Sequence, residues 1–472
     1  MDRIKTDLLV IGAGSGGLSV AAGAAQMGAD VVLLERHLMG GDCLNYGCVP
    51  SKALIAAAHR AHDMTRASAF GVADVTPVVD YAAVQAHVAG AIARIVPVDS
   101  QERFEGFGVR VIRDSGTFVS PTEVEAGSHR ITARRIVVAT GSSPFVPPIP
   151  GLADTPFLTN ETLWDLRTLP EHLLVIGGGP IGMEMAQAHR RLGSRVTVIE
   201  AGKALGREDP EIAAFALDAL RAEGVEIAEE TAASHVRGRD GAIEVETKGG
   251  TTYRGSHLLV AVGRTPNIDG LGLEVAGIET TRAGIKVDAG LRSTNRRVYA
   301  VGDVAGQGQF THLAGYHAGL VIRNALFGLP VKTRPDIIPR ATYTRPELAQ
   351  VGLTESEARE IHGDKVEVVR QGWEHNDRAI AERETEGLLK IMVVKGRPVG
   401  ASIAGAQAGE IVNTWALALS AGLKMGQIAG MVSPYPTIGE LNKRAAGTYF
   451  SPRLFDNNTV KTVVRLVQRW LP

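Results

Sequence analysis

The chain has 472 residues, and 50 Lys and Arg against 51 Asp and Glu give a formal net charge of −1. This balance argues against a general nucleic-acid or membrane-surface binder, because both need an excess of basic residues. Hydrophobic residues make up 44% of the chain and charged residues 21%, which excludes wholesale disorder. The length corresponds to about two to four domains of ordinary size.

Glycine and cysteine usage narrows the class further. The 55 glycines exceed the usual share of about 7% but follow no three-residue period, so they mark tight turns rather than a collagen-like chain. The chain has two cysteines, too few for a disulfide scaffold. The N-terminal residues include Asp2 and Asp7 and lack the pattern of an export signal. We therefore expect a cytoplasmic location.

Two glycine-rich segments repeat one pattern in chain order. LLVIGAGSGG at 8–17 and LLVIGGGPIG at 173–182 each place an apolar strand before Gly-x-Gly-x-x-Gly. An Ala-rich stretch and a second apolar strand follow each segment. That strand ends in an acid, Glu35 or Glu200, 23 residues after the first glycine in both copies. The glycines of the two copies are Gly12, Gly14 and Gly17, and Gly177, Gly179 and Gly182.

This pattern is typical of a dinucleotide-binding unit. The first glycine permits the tight turn, the second lets the backbone approach a pyrophosphate, and the third lets helix and strand pack closely. The acid accepts hydrogen bonds from a ribose diol. Two complete copies predict two bound dinucleotides, and electron transfer between them is their natural use.

Both cysteines lie in the segment GGDCLNYGCVPSK at 40–52, with Cys-x4-Cys spacing. In a regular helix, Cα atoms five residues apart are about 8–9 Å from each other, beyond the about 7 Å limit for a disulfide. Gly47 and Pro50 favour a helix that begins near Cys48, with Cys43 in the loop before it. A helix N-terminus lowers the pKa of a thiol. Because no further Cys or local His cluster completes a metal site, we expect no bound metal.

The motif Gly-Gly-x-Cys-x4-Cys-Val-Pro-Ser-Lys resembles that of the flavin disulfide oxidoreductases, which include dihydrolipoyl dehydrogenase, glutathione reductase and mercuric reductase. The resemblance continues through ATGS at 139–142, AVGRTPN at 261–267 and YAVGDVA at 299–305, in the family's order. It implies an α/β fold with two doubly wound dinucleotide-binding domains, for FAD and NAD(P), and a C-terminal α+β dimerisation domain. The implied boundaries are 1–150 for the first part of the FAD domain, 151–268 for the NAD(P) domain, 269–336 for the FAD return segment and 337–472 for the interface domain.

The resemblance also implies residue roles. Electrons would pass from NAD(P)H through FAD to a Cys43–Cys48 disulfide, and then to a small-molecule acceptor. Cys48 would face the flavin, Cys43 would meet the substrate, and Lys52 would lie near the flavin and pair with Glu184. The implied partner is a second copy of the chain, in a homodimer whose interface domain covers the partner's active site. The remaining cofactor-binding positions are Gly41, Asp42, Gly116, Thr140, Gly141, Ser142, Ile181, Gly263, Arg264, Gly302, Asp303 and Ala314.

The second acid predicts the nicotinamide cofactor. Glu200 can hold a ribose 2′-hydroxyl and would repel a 2′-phosphate, so we expect NADH rather than NADPH. Arg195, Lys203 and Arg207 are near it in sequence and could weaken this preference.

The C-terminal third departs from dihydrolipoyl dehydrogenases and glutathione reductases, which carry His-Pro-Thr followed by a Glu. Here the run is Tyr435-Pro436-Thr437 with Glu440, and all 13 histidines lie at or before His375. A tyrosine with a pKa near ~10 cannot replace imidazole as a base near neutrality. Mercuric reductases share the Tyr, but they also carry a C-terminal cysteine pair, and this chain has no cysteine after Cys48.

The acceptor is therefore left open by the motifs. A small disulfide, a soft metal ion and a quinone-like molecule are all compatible with them. Two competing interpretations are a dihydrolipoyl dehydrogenase proper and a non-catalytic flavin-bound redox sensor or scaffold.

The segment 460–471 predicts a short amphipathic helix with Lys461, Arg465 and Arg469 on one face. We expect this helix to pack on the dimer with its basic face in solvent, rather than to contact a membrane.

Overall fold

The computed structural model describes residues 1–239 and 241–471. By its internal contacts the chain divides into two units. The first comprises Met1–Ala201 and Val225–Thr333, and the second comprises Gly202–Gly224 and the described chain from Arg334 onward. The segment Gly202–Gly224, which the sequence assigns to the NAD(P) domain, is thus grouped with the C-terminal unit. The assignment of the individual nucleotide domains stays a prediction.

In chain order, the strands of the described residues are β1 Asp2–Ile11, β2 Val31–Leu34, β3 Arg110–Ile112, β4 Thr117–Ser120, β5 Glu123–Ala126, β6 His129–Val138, β7 Ser142–Pro144, β8 His172–Ile176, β9 Arg195–Ile199, β10 Glu226–Ala228, β11 Ala233–Arg239, β12 Ala242–Thr247, β13 Thr252–Gly255, β14 His257–Val260, β15 Arg264–Pro266, β16 Thr280–Thr281, β17 Gly284–Ile285, β18 Val298–Ala300, β19 Arg340–Thr342, β20 Glu347–Gly352, β21 Val366–Gly372, β22 Leu388–Val394 and β23 Arg397–Gly405.

The α-helices follow the same order. They are α1 Ser15–Gln26, α2 Gly41–Asn45, α3 Cys48–Met64, α4 Tyr81–Ile95, α5 Gln101–Gly106, α6 Pro180–Leu192, α7 Pro210–Ala222, α8 Thr311–Phe327, α9 Glu355–His362, α10 Asp377–Glu382, α11 Ala408–Ala421, α12 Met425–Ala429, α13 Glu440–Phe455 and α14 Asn458–Trp470.

The first unit contains two sheets that lie behind the glycine motifs; the first is parallel except that β5 pairs antiparallel with β6 and β4. The first sheet has the order β3-β2-β1-β6-β5-β4, with β18 also paired to β6. The second has the order β10-β9-β8-β14, and all its pairs are parallel. In both sheets the strand that leads into the glycines has neighbours on each side, so the loop leaves the sheet where the strand order reverses. Doubly wound sheets bind ligands at this place.

The strands of these sheets are apolar because they are covered on both faces. Leu8, Leu9 and Val10 in β1 and the whole of Val31–Leu34 in β2 are buried. Continuous apolar runs of this kind are typical of parallel strands between two helical layers. Sequence and structure therefore agree on the α/β class and on the two doubly wound units.

The second unit is built on an antiparallel sheet of order β19-β20-β23-β22-β21. Its core contains the fully buried Trp373 and Trp415, and the indole N–H of Trp415 donates to Oδ1 of Asn442 at 2.7 Å. Helix α7 packs on this sheet through charged residues. Nζ of Lys390 lies 2.9 Å from Oδ2 of Asp209, 2.9 Å from Glu211 and 2.7 Å from Glu355. The predicted α+β class of this region is confirmed.

One helical stretch of the described residues, Tyr81–Gly106, has the length and apolar composition of a membrane span. A single stretch of this kind is weak evidence for a span, because helices that pack inside proteins satisfy the same criteria.

Candidate active site

The two glycine loops have the same backbone geometry at their first glycine. Gly12 has φ +105° and Gly177 has φ +113°, a region that side-chain-bearing residues rarely adopt. A Cβ on either glycine would collide with the carbonyl group of the neighbouring strand's end, Ala139 for Gly12 and Ala261 for Gly177. Each loop therefore needs glycine for both its turn and its packing, and it leaves backbone N–H groups at the start of a helix. This cradle fits the pyrophosphate of a dinucleotide.

The acids at the ends of the second strands anchor these loops. Glu35 accepts hydrogen bonds from the amides of Ala13 at 2.7 Å and His37 at 2.6 Å. Glu200 accepts one from the amide of Gly178 at 2.6 Å. The sequence predicted only a ribose contact for these acids, and that contact stays a prediction. The anchoring role was missed, although the equal 23-residue spacing already placed each acid beside its loop.

The cysteines occupy two consecutive helices. Helix α3 begins at Cys48, as predicted, and Pro50 lies in its first turn. Cys43 lies in the short helix α2 and not in a loop, so that part of the prediction was wrong. The carbonyl of Asp42 accepts hydrogen bonds from the amides of Tyr46 and Gly47 at 2.8 and 2.7 Å. These bonds turn the chain between the helices and bring the two sulfurs together.

Both cysteines are free thiols, and they share a hydrogen bond. That bond lowers the pKa of Cys48 to about 6, with further contributions from the Thr311 hydroxyl and the positive charge of Lys52. The same bond, together with burial and the charge on Cys48, raises the pKa of Cys43. The arrangement therefore favours a thiolate on Cys48 and a protonated thiol on Cys43.

Thr311 was not identified from the sequence. It opens helix α8, and its Oγ1 lies 3.5 Å from Sγ of Cys48. The only sequence signal that could have pointed to Thr311 is that it lies three residues before Ala314, a predicted cofactor-binding position.

Lys52 lies one helical turn after Cys48, and its Nζ lies 2.8 Å from Oε2 of Glu184 on helix α6. The expected ion pair is therefore present. The Glu184 side chain is 6% exposed and that of Lys52 is 37% exposed. A buried carboxylate requires a partner of opposite charge, and Lys52 supplies it beside the thiolate.

A second polar cluster joins four of the predicted cofactor positions. Arg264 lies 3.0 Å from Oδ1 of Asp42 and donates to the carbonyl and hydroxyl oxygens of Ser142, both at 2.7 Å. The Ser142 hydroxyl donates to Oδ2 of Asp303 at 2.6 Å. Burial raises the pKa of Asp303. Asn160 completes the cluster by donating to Asp42 at 3.1 Å, and no sequence motif had singled it out.

The other predicted cofactor positions fall around these groups. Gly41 packs on Gly14, Gly302 packs on Ala314, and Thr140 donates to the carbonyl of Asn267 at 2.7 Å. The remaining predicted positions are placed as follows: Gly141 and Gly263 in left-handed backbone near Asn267 and Phe145, Ile181 exposed in the first turn of α6, and Gly116 packed against Leu34 and Val124 of the first sheet.

Tyr435 belongs to the second unit and is 68% exposed. Its hydroxyl donates to Oδ2 of Asp377 at 2.7 Å, and this bond and the charge of Asp377 raise the pKa of Tyr435. Glu440 forms an ion pair with Arg444, one turn later in α13, at 3.2 Å. The sequence predicted that Glu440 would lack an imidazole to orient, and the structure gives it a guanidinium instead. Asp377 could not be identified from the sequence, because 58 residues separate it from Tyr435.

Among residues 1–239 and 241–471, no group of three or more His, Cys, Asp and Glu side chains is arranged to hold a metal ion.

Two family models match the chain. The pyridine nucleotide-disulphide oxidoreductase model matches residues 6–318, and the dimerisation domain of the same family matches residues 338–446. Mercuric reductase from Streptomyces lividans is 36% identical over 458 residues, which cover 94% of this chain and 96% of that protein. Dihydrolipoyl dehydrogenase from Geobacillus stearothermophilus is 34% identical over 454 residues, with 94% and 96% covered.

Solved structures give the same result. The Cu(II) complex of the HOCl-induced flavoprotein disulfide reductase RclA from Escherichia coli has a TM-score of 0.83 at 29% identity and covers 92% of this chain and 98% of that one. LpdA from Mycobacterium tuberculosis has a TM-score of 0.86 at 26% identity, with 95% and 100% covered. The chain therefore belongs to the pyridine nucleotide-disulphide oxidoreductase family, as an NAD(P)H-dependent FAD disulfide oxidoreductase that forms homodimers.

Proposed function

We propose that this enzyme delivers electrons from NADH, through the Cys43–Cys48 pair, to a soft or redox-active metal ion such as Hg(II) or Cu(II). We also propose that it oxidises dithiols poorly. The observation that carries the proposal is the hydrogen bond from Tyr435 to Asp377 at 2.7 Å, in the position where dithiol-oxidising relatives have a histidine base.

The cysteine pair supports the donor half of this proposal. The lowered pKa of Cys48 favours its thiolate, and the raised pKa of Cys43 keeps the proton on that thiol. Oxidation of one thiolate and one thiol to a disulfide releases two electrons and the single proton on Cys43. Bound FAD would supply two-electron transfer between the nicotinamide and this pair. The first glycine loop with Glu35 and Asp303 would hold FAD, and the second loop with Glu200 would hold the nicotinamide cofactor.

The Lys52–Glu184 pair would assist this transfer. A cation one turn from Cys48 stabilises the thiolate and any negative charge that develops beside it. Glu184 holds the ammonium group in one position, at 2.8 Å. We assign Lys52 an electrostatic role and Glu184 a positioning role.

The dimerisation domain supports the acceptor half. To oxidise a dithiol near pH 7, an enzyme must remove a thiol proton with a pKa of about 8.5, which requires a base. Tyr435 is already a hydrogen-bond donor, and Asp377 raises its pKa above the ordinary value, so it cannot accept that proton. It can position or protonate an acceptor. Soft metal ions prefer thiolate ligands and need no such base.

The relatives favour a metal ion over a quinone-like acceptor. Mercuric reductases are among the curated relatives, and the RclA structure is a Cu(II) complex. The electron balance also holds for these ions, since one dithiol would reduce one Hg(II) to the metal or two Cu(II) to Cu(I). The competing interpretation as a dihydrolipoyl dehydrogenase rests on the Geobacillus stearothermophilus enzyme, which is 34% identical to this chain. The non-catalytic sensor is the second competitor.

Cofactor choice and location complete the proposal. Glu200 would discriminate against NADPH by repelling its 2′-phosphate. The hydrogen bond from the Gly178 amide keeps the Glu200 carboxylate at the second glycine loop. We also infer a cytoplasmic location, because a chain with two cysteines is not built as an exported disulfide scaffold.

An acceptor screen under anaerobic conditions tests the function. NADH oxidation by the FAD-loaded enzyme is followed with Hg(II), Cu(II), lipoamide, a benzoquinone and an artificial dye, for the wild type and for Cys43→Ser. We expect metal-ion turnover to exceed lipoamide turnover, and Cys43→Ser to lose it while dye reduction remains. Lipoamide as the best acceptor would indicate a dihydrolipoyl dehydrogenase, and no turnover with any acceptor would indicate a sensor.

A further inference from the structure

Helix α14, Asn458–Trp470, is 13 residues long and buries none of its residues. The Asn457 side chain caps it by accepting hydrogen bonds from the amides of Thr459 and Val460 at 2.9 and 3.3 Å. An isolated helix of fewer than about 15 residues is marginal in water, and most helices gain their stability by covering an apolar face. The apolar face of α14 therefore requires a surface from outside the chain.

The helix has two distinct faces. At about 100° per residue, the apolar side chains occupy one continuous side. Beside the half-buried Val460, this side carries residues exposed by 40% to 77%, namely Val463, Val464, Val467, Trp470 and Leu471. Lys461, Arg465 and Arg469 occupy the opposite side. Residues 457–471 contain no Asp or Glu, so this helix is uniformly basic although the whole chain is close to neutral.

Helix α14 is not part of the conserved dimerisation-domain pattern. The dimerisation-domain model ends at residue 446, and α14 lies beyond it. The expectation from sequence that α14 packs on the dimer stays a prediction. Packing on a protein surface would explain the apolar face of α14 but not its charge. The other face carries three basic residues and no acidic ones, which favours a negatively charged surface.

We propose that α14 is a peripheral anchor that lies in the surface of a bilayer containing anionic phospholipids. Its apolar side would enter the boundary between headgroups and acyl chains, and its basic side chains would reach the phosphate groups. Thirteen residues span about 20 Å as a helix, too short for a hydrocarbon core of about 30 Å, so the helix lies on the membrane. Trp470 is at the edge of the apolar side, and tryptophan prefers this interfacial region.

The anchor extends to the end of the preceding helix. Leu454 is 48% and Phe455 is 70% exposed at the C-terminus of α13, and Asp456 separates them from the capping residue Asn457. A single helix with three basic residues gives binding that is reversible and weakened by salt. The reductase would then exchange between the membrane surface and solution. The nearly neutral net charge of the whole chain does not prevent this, because the attraction comes from the basic residues of α14 alone.

Vesicle flotation of the full-length, FAD-loaded enzyme tests the anchor. The vesicles contain phosphatidylcholine alone or phosphatidylcholine with phosphatidylglycerol, at low and at high salt. We expect flotation with the anionic vesicles at low salt and its loss at high salt. We also expect a blue shift of tryptophan emission on binding, which Trp470→Phe removes.

Variants with matched controls separate the two faces. Val463→Asp should abolish binding, and Val275→Asp, at a valine of similar exposure in the first unit, should leave it intact. Replacing Lys461, Arg465 and Arg469 by Gln should weaken binding to anionic vesicles by about a hundredfold, at about fivefold per charge. The same replacement of the exposed Arg282, Arg296 and Lys332 should not. NADH-dependent dye reduction without vesicles should be unchanged in every variant.

Three results would overturn the anchor. They are no flotation of the wild type, flotation of Val463→Asp equal to the wild type, and equal binding to neutral and anionic vesicles. If the wild type does not float and Val463→Asp changes the molar mass in light scattering, a second copy of the chain covers α14.

Discussion

The hydroxyl of Tyr435 donates its hydrogen bond to Asp377 at 2.7 Å, whereas Glu440 pairs with Arg444. The two residues that replace a His–Glu pair in related enzymes thus have different partners, Asp377 and Arg444, which are themselves joined by an ion pair at 3.9 Å. A tyrosine that donates to a carboxylate is held in its neutral form, because ionisation would place two negative charges side by side. This relationship underlies the expected weakness in dithiol oxidation.

Dihydrolipoamide oxidation with NAD⁺ should therefore be slow in the wild type. Loss of a positioned base typically costs ~10²–10⁴-fold in rate. Tyr435→His should raise this activity, with a rise as pH passes about 6.5, because only neutral imidazole accepts a proton. Tyr435→Phe is the control and should show no gain. Steady-state rates across pH check this, and wild-type turnover in the hundreds per second would show that another group supplies the base.

The Cys48 thiolate should be visible in the spectrum. Two-electron reduction should produce the long-wavelength absorbance band of a thiolate beside oxidised flavin, and the band should fade as pH falls through about 6, the lowered pKa of Cys48. Cys48→Ala should abolish the band.

Cys43→Ala should display the band without any reductant, because a single thiol cannot form the disulfide. In this variant the band should fade at a higher pH than in the reduced wild type. The reason is that the hydrogen bond from Cys43 is the largest cause of the lowered pKa of Cys48. Spectral pH titrations of both variants check this. An unchanged band in Cys48→Ala would mean that the roles of the two sulfurs are reversed.

Glu184→Gln should slow flavin reduction by NADH more than it weakens FAD binding. The lost bond joins two charged groups, and such bonds contribute about 1.5–3 kcal/mol, which corresponds to a rate reduction of about 10- to 100-fold. Stopped-flow reduction rates and FAD titrations separate the two effects. Glu171→Gln, at an exposed glutamate of the same unit, is the control. Rates equal to the wild type would remove Glu184 from the catalytic mechanism.

The wild type should have a higher kcat/KM with NADH than with NADPH. Glu200→Gln keeps an acceptor for the Gly178 amide but removes the charge, so it should narrow this preference mainly by improving NADPH use. The ratio of the two kcat/KM values is the measurement. Equal or better efficiency of the wild type with NADPH would contradict the assignment of Glu200.

Lys390→Met should destabilise the second unit by about 3 kcal/mol, the cost typical of removing one partner from a buried ion pair. The Lys390 side chain is 5% exposed and that of Asp209 is 2% exposed, so the substitution leaves a buried carboxylate without its cation. Urea unfolding followed by the fluorescence of the buried tryptophans measures the loss. Lys365→Met, at an exposed lysine, is the control and should change stability little.

The same cluster predicts an effect of acid on stability. Hydrogen bonds from Arg370 and Lys390 lower the pKa of Glu211 to about 2, below its ordinary value of 4.5. The stability from Glu211 is therefore fully present above about pH 4.5 and is lost as pH falls toward 2. Lys390→Met should reduce this acid dependence, and an identical pH profile of unfolding in the variant would contradict the assignment.

Local patterns were sufficient to predict several features of this protein. The glycine spacing and the acids 23 residues later predicted two dinucleotide-binding units, because the turn, the pyrophosphate approach and the helix packing all depend on residues close in sequence. Pro50 and Gly47 likewise placed the start of the helix at Cys48, since a helix terminus depends on a few consecutive residues.

Only the tertiary structure decided which distant side chains meet. Asp377 and Tyr435 are 58 residues apart, and Lys52 and Glu184 are 132 apart. For the second pair the family resemblance supplied the partner, and for the first no motif did. Whether a carboxylate caps a loop, lowers a pKa or holds a tyrosine neutral depends on the burial and charges around it. Those surroundings exist only after elements far apart in the chain have packed together.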